Sequence, residues 1–147
     1  MAATPYRSTC TIDGNTFDAV EILVAFETAK DAAGMPQMGS LKSTIRVVVD
    51  IHDDQNMPYG TLNSLFQLAN VVTRDKVKDM KLEFWKDDSK QDALCSYKFK
   101  GWVSGYQTCN PAGQPQNGNA ASLNHMLVLD LEPAMNQQNY QEVTLSN

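Results

Sequence analysis

Only one stretch of this chain spaces its apolar residues as a helix does. Between Gly60 and Arg74, GTLNSLFQLANVVTR, the residues Leu62, Leu65, Phe66, Ala69 and Val72 follow the i, i+3, i+4, i+7 template, and Leu68 and Val71 widen the stripe. Pro58 and Gly60 punctuate the start, Thr61 is the expected N-cap, and Asn63, Gln67, Asn70 and Arg74 form the polar side. Burying each apolar side chain returns roughly 1.5 to 3 kcal/mol, while ordering each residue costs about 1 to 2 kcal/mol. A helix this short therefore exists only when docked. The spacing predicts that Leu62, Leu65, Phe66, Ala69 and Val72 are the docking face, and the rest of the chain must supply the surface beneath them.

The rest of the chain alternates with period two, as strands do. Ser8 to Ile12 is a short strand ending at Asp13-Gly14, a dipeptide suited to a tight hairpin. Phe17 to Phe26 follows, with Val20, Ile22, Val24 and Phe26 on one face and Glu21, Leu23 and Ala25 on the other. Leu41 to Ile51 sets Leu41, Ile45, Val47, Val49 and Ile51 against Lys42, Thr44, Arg46, Val48 and Asp50. Met80, Leu82 and Phe84 alternate with Lys81, Glu83 and Trp85, and a turn at Asp87-Asp88-Ser89 leads into a longer strand from Ala93 to Tyr106. Gly101 and Gly105 within that strand mark bends or bulges. Leu123 to Glu132 turns Leu123, Leu127, Leu129 and Leu131 inward, Pro133 ends it, and Tyr140 to Leu145 is a last edge strand or a frayed tail. Mostly short connections favour antiparallel pairing. The expected fold is mainly β: a closed or nearly closed antiparallel β-barrel of two sheets with one α-helix, in a single domain over residues 1–147.

A net charge of -5, with acids and bases interspersed, offers no basic stripe to a phosphate backbone, so nucleic acid is excluded as a partner. No apolar run approaches the about 20 residues that span a bilayer, so membrane insertion is not expected. MAATPYRST lacks the apolar core of a signal peptide, and synthesis in the cytoplasm is the expectation. Cys10, Cys95 and Cys109 show neither C-x-x-C spacing nor pairing with His, which points to buried reduced thiols instead of disulfides or zinc.

His52 with Asp50, Asp53 and Asp54 is the one acidic cluster near a histidine, and its chemistry would suit a divalent cation; acidic residues at a strand end more often cap a turn. His125 has the inward parity of its strand, as a core or interface residue would. Asp87 and Asp88 sit at a solvated hairpin tip, unsuited to splitting their pKa values for acid and base work. The eight glycines form neither G-x-G-x-x-G nor a phosphate loop. No catalytic, cofactor or metal residues emerge, and the chain is not expected to be an enzyme. Two loops stand out. Lys30 to Ser40 carries Met35 and Met38, adaptable apolar side chains that serve either a partner or the chain's own barrel. Asn110 to Ala121 is uncharged and lacks large apolar residues.

This succession resembles the haemolysin-coregulated protein family, Hcp or TssD, which builds the inner tube of bacterial type VI secretion systems. The resemblance is carried by the opening hairpin IDGNTFDAVEIL (Ile12 to Leu23), the loop KDAAGMPQMGSL and the strand STIRVVVDI (Ser43 to Ile51). The helix after TLNSLFQLA (Thr61 to Ala69), the hairpin KLEFWKDD (Lys81 to Asp88) and the closing strand NHMLVLDLEP (Asn124 to Pro133) complete it. It implies a β-barrel with one helix, homohexameric rings stacked into a hollow tube inside a contractile sheath, and no cofactor. The partners it implies are the chain itself, sheath proteins, a tip spike protein and effectors, with export through the injection apparatus. Met35, Pro36, Met38 and Leu41 are the candidate subunit-interface residues, because a protruding loop is a simple way to reach a neighbour in a ring. Two other readings fit the same residues: the tube of a phage-tail-like extracellular injection particle, and a monomeric barrel that binds a small apolar ligand.

Overall fold

Asp13 and Gly14 both take positive φ, 51° and 81°, so the first turn is the two-residue hairpin that Asp-Gly favours. It joins β1 (Ser8–Ile12) to β2 (Asn15–Ala19), with Ile12 opposite Asn15 and Ser8 opposite Ala19. This computed structural model describes residues 6–28, 30–35, 42–87, 89–110, 125–134 and 143–146. Within them the chain continues as β3 (Glu21–Glu27), β4 (Lys42–Asp50), helix α1 (Tyr59–Ala69) and a 3-10 turn at Arg74–Lys76. Strands β5 (Lys78–Trp85), β6 (Ala93–Cys109), β7 (Met126–Pro133) and β8 (Val143–Ser146) follow. They form one antiparallel sheet in the order β2-β1-β5-β6-β7-β4-β3, with β8 beside the first half of β6.

The long strand β6 turns the sheet's corner. Up to Gly101 it pairs with β5, and from Gly101 onward with β7, so this one residue faces Lys78 on one side and Pro133 on the other. A Cβ at Gly101 would lie 2.5 Å from the Glu132 carbonyl oxygen and 2.8 Å from the Phe99 ring. The bend there needs glycine for this close approach. Ser104 is the extra residue of a bulge between Val103 and Gly105, and its hydroxyl donates to the Asp130 carbonyl at 3.1 Å. Both glycine irregularities expected from the sequence are present.

The curled sheet wraps a core of Cys10, Ile12, Phe17 and Ala19 from the first hairpin, Ile45, Val47 and Val49 from β4, and Met80 and Leu82 from β5. Phe99, Val103, Leu127, Leu129 and Leu131 complete the sheet's share. Helix α1 closes one side with Leu65 and Leu68 buried and Leu62 and Ala69 packed at the margin. Phe66 and Val72 correct the expected docking face: they are 43% and 39% exposed. The helix stops at Ala69, five residues short of the expected end, where the Asn70 N–H donates to the Phe66 carbonyl at 2.9 Å and Val71 takes φ 56°. That turn swings Val72 off the helical register. The Lys76 ammonium donates to the Asn70 carbonyl, placing a cation at the negative end of the helix. At the other end Pro58, in extended backbone and without a side-chain cap, precedes the first turn, so Thr61 is not the N-cap.

The sheet does not close, which corrects the expected closed barrel of two sheets. β2 and β3 stand at opposite ends of the strand order and share no ladder. The expected single strand from Phe17 to Phe26 is broken at Val20, whose N–H leaves the first hairpin and donates to the Val48 carbonyl at 2.8 Å. Parity gives the reason. Phe17 and Ala19 are buried in β2, whereas Ile22 and Val24 are the residues of β3 packed against the core. An unbroken strand keeps odd and even residues on opposite faces, so this switch requires a break between the two pairs.

Candidate assembly surface

The two ends of the sheet are finished differently. On β2, the buried carboxamide of Asn56 clasps the backbone of Asp18: the Asp18 N–H donates to Asn56 Oδ1 at 2.7 Å, and Asn56 Nδ2 donates to the Asp18 carbonyl at 2.8 Å. The Asp53 carboxylate positions Asn56 by accepting its N–H at 3.2 Å and that of Gln55 at 3.1 Å. The Asp18 side chain is also engaged. Its Oδ1 accepts from the Thr9 hydroxyl at 2.9 Å and its Oδ2 from the Lys90 ammonium at 2.9 Å, while Trp85 Nε1 donates to Thr9 Oγ1 at 2.9 Å. A side chain thus occupies the hydrogen-bonding positions that another strand would need.

At the other end, β3 has β4 on one side and no strand on its outer rim among the described residues. It carries apolar surface left over after the core is filled, with Leu23 46% and Phe26 40% exposed. Phe26 stands 6.3 Å, ring centre to ring centre, from Tyr97, which meets Phe84 edge-on at 6.0 Å. On the outward face of the sheet, Leu23, Arg46 and Asp130 lie in one row across β3, β4 and β7, and Arg46 Nε contacts Asp130 Oδ1 at 3.0 Å. Val48 and Val128 are paired and half-buried on that same face.

Beyond β3, Asp31 organises a turn. Its Oδ1 accepts the N–H groups of Ala33 at 3.0 Å and Met35 at 2.9 Å, its own N–H donates to the Met35 carbonyl at 2.8 Å, and Gly34 takes φ 85°. The turn leaves Met35 62% exposed. Pro36, Met38 and Leu41 lie outside the described residues, as do Asp88 and most of the Asn110 to Ala121 loop. Across β1, β5, β6 and β8, Thr11, Lys81, Lys98 and Thr144 form an outward row along a groove of about 760 Å³.

Two of the acidic residues around His52, Asp50 and Asp53, act as turn caps. Asp50 Oδ1 accepts the His52 N–H at 2.9 Å, Asp53 is committed to Gln55 and Asn56, and no group of three or more His, Cys, Asp or Glu converges among the described residues. At the far hairpin tip, Ser89 donates to Asp87 from both hydroxyl and backbone N–H and holds its carboxyl below the usual range. Cys10 is fully buried and its thiol is pushed well up by that burial; Cys95 and Cys109 are half-buried, and all three are free. His125 corrects the inward parity expected of it. It is exposed just before β7 and lies against His52, Nδ1 to Nε2, at 2.7 Å. That meeting depends on the β4–β7 register, which the sequence does not display.

No family model matches the sequence, and no curated protein does. Solved structures do match. Hcp1 from Flavobacterium johnsoniae superposes with a TM-score of 0.60 at 13% identity, over 96% of this chain and 95% of that one. A crystal structure of an Hcp protein gives 0.60 at 10% identity over 95% and 96%. A double tryptophan variant of the Hcp1 protein from E. coli EAEC 042 pathovar gives 0.57 at 12% identity over 98% of both chains. At 10 to 13% identity what is shared is the arrangement of the backbone, and from end to end that arrangement is the Hcp fold.

Proposed function

We propose that this chain is a structural subunit of a type VI secretion inner tube, which assembles as homohexameric rings stacked into a hollow conduit. The observation that supports this reading is the match to Hcp structures over 95 to 98% of the length on both sides. The rim of β3, which pairs with no further strand among the described residues, and the exposed Leu23, Phe26 and Met35 are the kind of surface a ring needs. In this reading a contractile sheath propels the tube, a spike protein tips it, and effectors travel in its lumen. The subunit is made in the bacterial cytoplasm and leaves through the apparatus, and its role is mechanical, without catalysis or cofactor.

Light scattering on the purified chain, with electron microscopy of the same sample, tests the proposal. The expected mass is that of six chains, with ring-shaped particles; a monomer at every accessible concentration overturns it. A tube of an extracellular contractile injection particle would give the same result, and the neighbouring genes separate the two. The small-ligand barrel has less support, because Phe17, Leu65, Leu82, Leu127 and Leu129 fill the interior that such a ligand would occupy.

The Met35 loop has its own test. Two Met side chains seated on a neighbour contribute roughly 1.5 to 3 kcal/mol each, a loss that recurs at every interface of a ring. Changing Met35 and Met38 together to Ser is expected to weaken rings or stacks while leaving subunit melting nearly unchanged. A lower melting temperature with unchanged oligomer mass rejects the loop's role in assembly.

A further inference from the structure

We infer that His52 and His125 form a two-nitrogen chelate for a borderline divalent cation, Cu²⁺ or Ni²⁺, where β4 ends and β7 begins. Asp50 pairs with Met126 in the ladder, and the Ile51 N–H donates to the His125 carbonyl at 3.3 Å, so Ile51 and His125 extend the pairing by one step. His52 follows Ile51 and reaches His125 diagonally across the two chain segments. Their ring centres lie 4.9 Å apart with planes 23° from parallel, and Nε2 of His52 is 2.7 Å from Nδ1 of His125, so the rings meet edge to edge with the two nitrogens between them. One nitrogen therefore donates to the lone pair of the other.

Two imidazole nitrogens bound side by side to one cation at about 2.0 to 2.1 Å are about 3 Å apart. For a metal to replace the shared proton, the pair must open by a few tenths of an ångström and each exposed ring must swivel by roughly 45° so that both lone pairs converge on the ion. That proton moves through water to the far nitrogen of its own ring, so both rings stay neutral and both present a lone pair to the metal. The hydrogen-bonded pair holds two borderline nitrogen donors close together on an exposed surface that an ion can reach from solvent.

The neighbouring carboxylates define which metal fits. Asp50 and Asp53 are engaged with backbone N–H groups, and the nearby Tyr6 phenol is held in its protonated form by burial and by those two carboxylates. No third His, Cys, Asp or Glu converges on the pair among the described residues, so the donor set is two imidazoles, with the remaining positions open to water. A closed four-ligand zinc site is not available, whereas imidazole donors follow the order that places Cu²⁺ and Ni²⁺ at the top. Bound metal would tie together residues 73 apart in sequence, and by favouring the folded chain it would raise the melting temperature. The inference does not depend on the tube reading.

The test uses the full chain without an affinity tag. Calorimetric titration with CuSO₄ or NiCl₂ is expected to show one ion per chain, and Cu²⁺ electron paramagnetic resonance to show two coordinated nitrogens. His52→Gln and His125→Gln should each lose about tenfold or more in affinity, because a chelate loses its effective concentration with either arm. Each should also lose the metal-dependent rise in melting temperature. Selective Cu²⁺ broadening of both imidazole resonances in the unmodified chain gives a readout that requires no variant to fold. Wild-type affinity in both variants, or broadening spread over other residues, overturns the site.

Discussion

At Gly101 a single methyl group would meet the Glu132 backbone at 2.5 Å, while at Gly60 a Cβ would find nothing within 4 Å. The same substitution should therefore have opposite signs at the two positions. Gly101→Ala is expected to destabilise by about 1 to 3 kcal/mol, since neither strand can yield without losing the corner. Gly60→Ala, in the first turn of α1, is expected to stabilise by roughly 0.5 to 1 kcal/mol. Chemical denaturation midpoints of the two variants beside wild type check both. Cys10 offers a second contrast. Its burial opposes the thiolate, so it should resist thiol reagents at pH 8 until the chain unfolds. Labelling of Cys10 in the native protein, read by peptide mapping, would contradict its place in the core. The glycine bends were legible because glycine inside an alternating run has few other reasons to be there. The His52–His125 contact was not, because two residues that far apart in sequence meet only once the register is known.

Within α1, neighbouring residues have different fates. Leu65 is fully buried, whereas Phe66 lies half-open with its ring edge-on to Tyr106 at 5.5 Å. Leu65→Asp buries an unpaired carboxylate and is expected to unfold the chain, at a cost of several kcal/mol. Phe66→Asp keeps its charge in water and should leave a native circular dichroism spectrum. Equal loss of structure in both variants would show that the helix is rotated from the orientation described. Just beyond the helix, Val71 is β-branched, 76% exposed and at φ 56°. Its left-handed backbone costs about 1 to 2 kcal/mol that its exposed side chain does not return. Val71→Gly should therefore raise stability by roughly 1 kcal/mol, seen as a higher melting temperature; no change or a fall would mean that the valine has an unrecognised contact. Helical periodicity identified α1 and its buried leucines. It did not locate the end, because Val71 and Val72 continue the apolar pattern after the backbone has left the helix.

For the whole molecule, alternation and short turns showed a mainly antiparallel sheet with one helix, and the Hcp resemblance agrees with the fold. They also pointed to a closed or nearly closed barrel, and the sheet does not close. Closure depends on how the outermost strands meet, and here Val20 takes the chain directly from one end of the sheet to the other. The hairpins β1–β2, β3–β4 and β5–β6 are local, but β1 must find β5 and β4 must find β7 across long intervals. Such topologies fold in milliseconds to seconds. Stopped-flow refolding is expected to show that range, and a microsecond phase carrying the full amplitude would exclude this strand order. The β4–β7 pairing also sets a timetable for synthesis. Arg46 meets Asp130 84 residues later, which at about 5 to 20 residues per second takes roughly 4 to 17 s to translate. For that interval the β3–β4 hairpin leaves the ribosome with its inner rim unfilled, close to identical half-made chains on the same messenger. How quickly β7 arrives therefore decides whether each hairpin joins its own chain or a neighbour's.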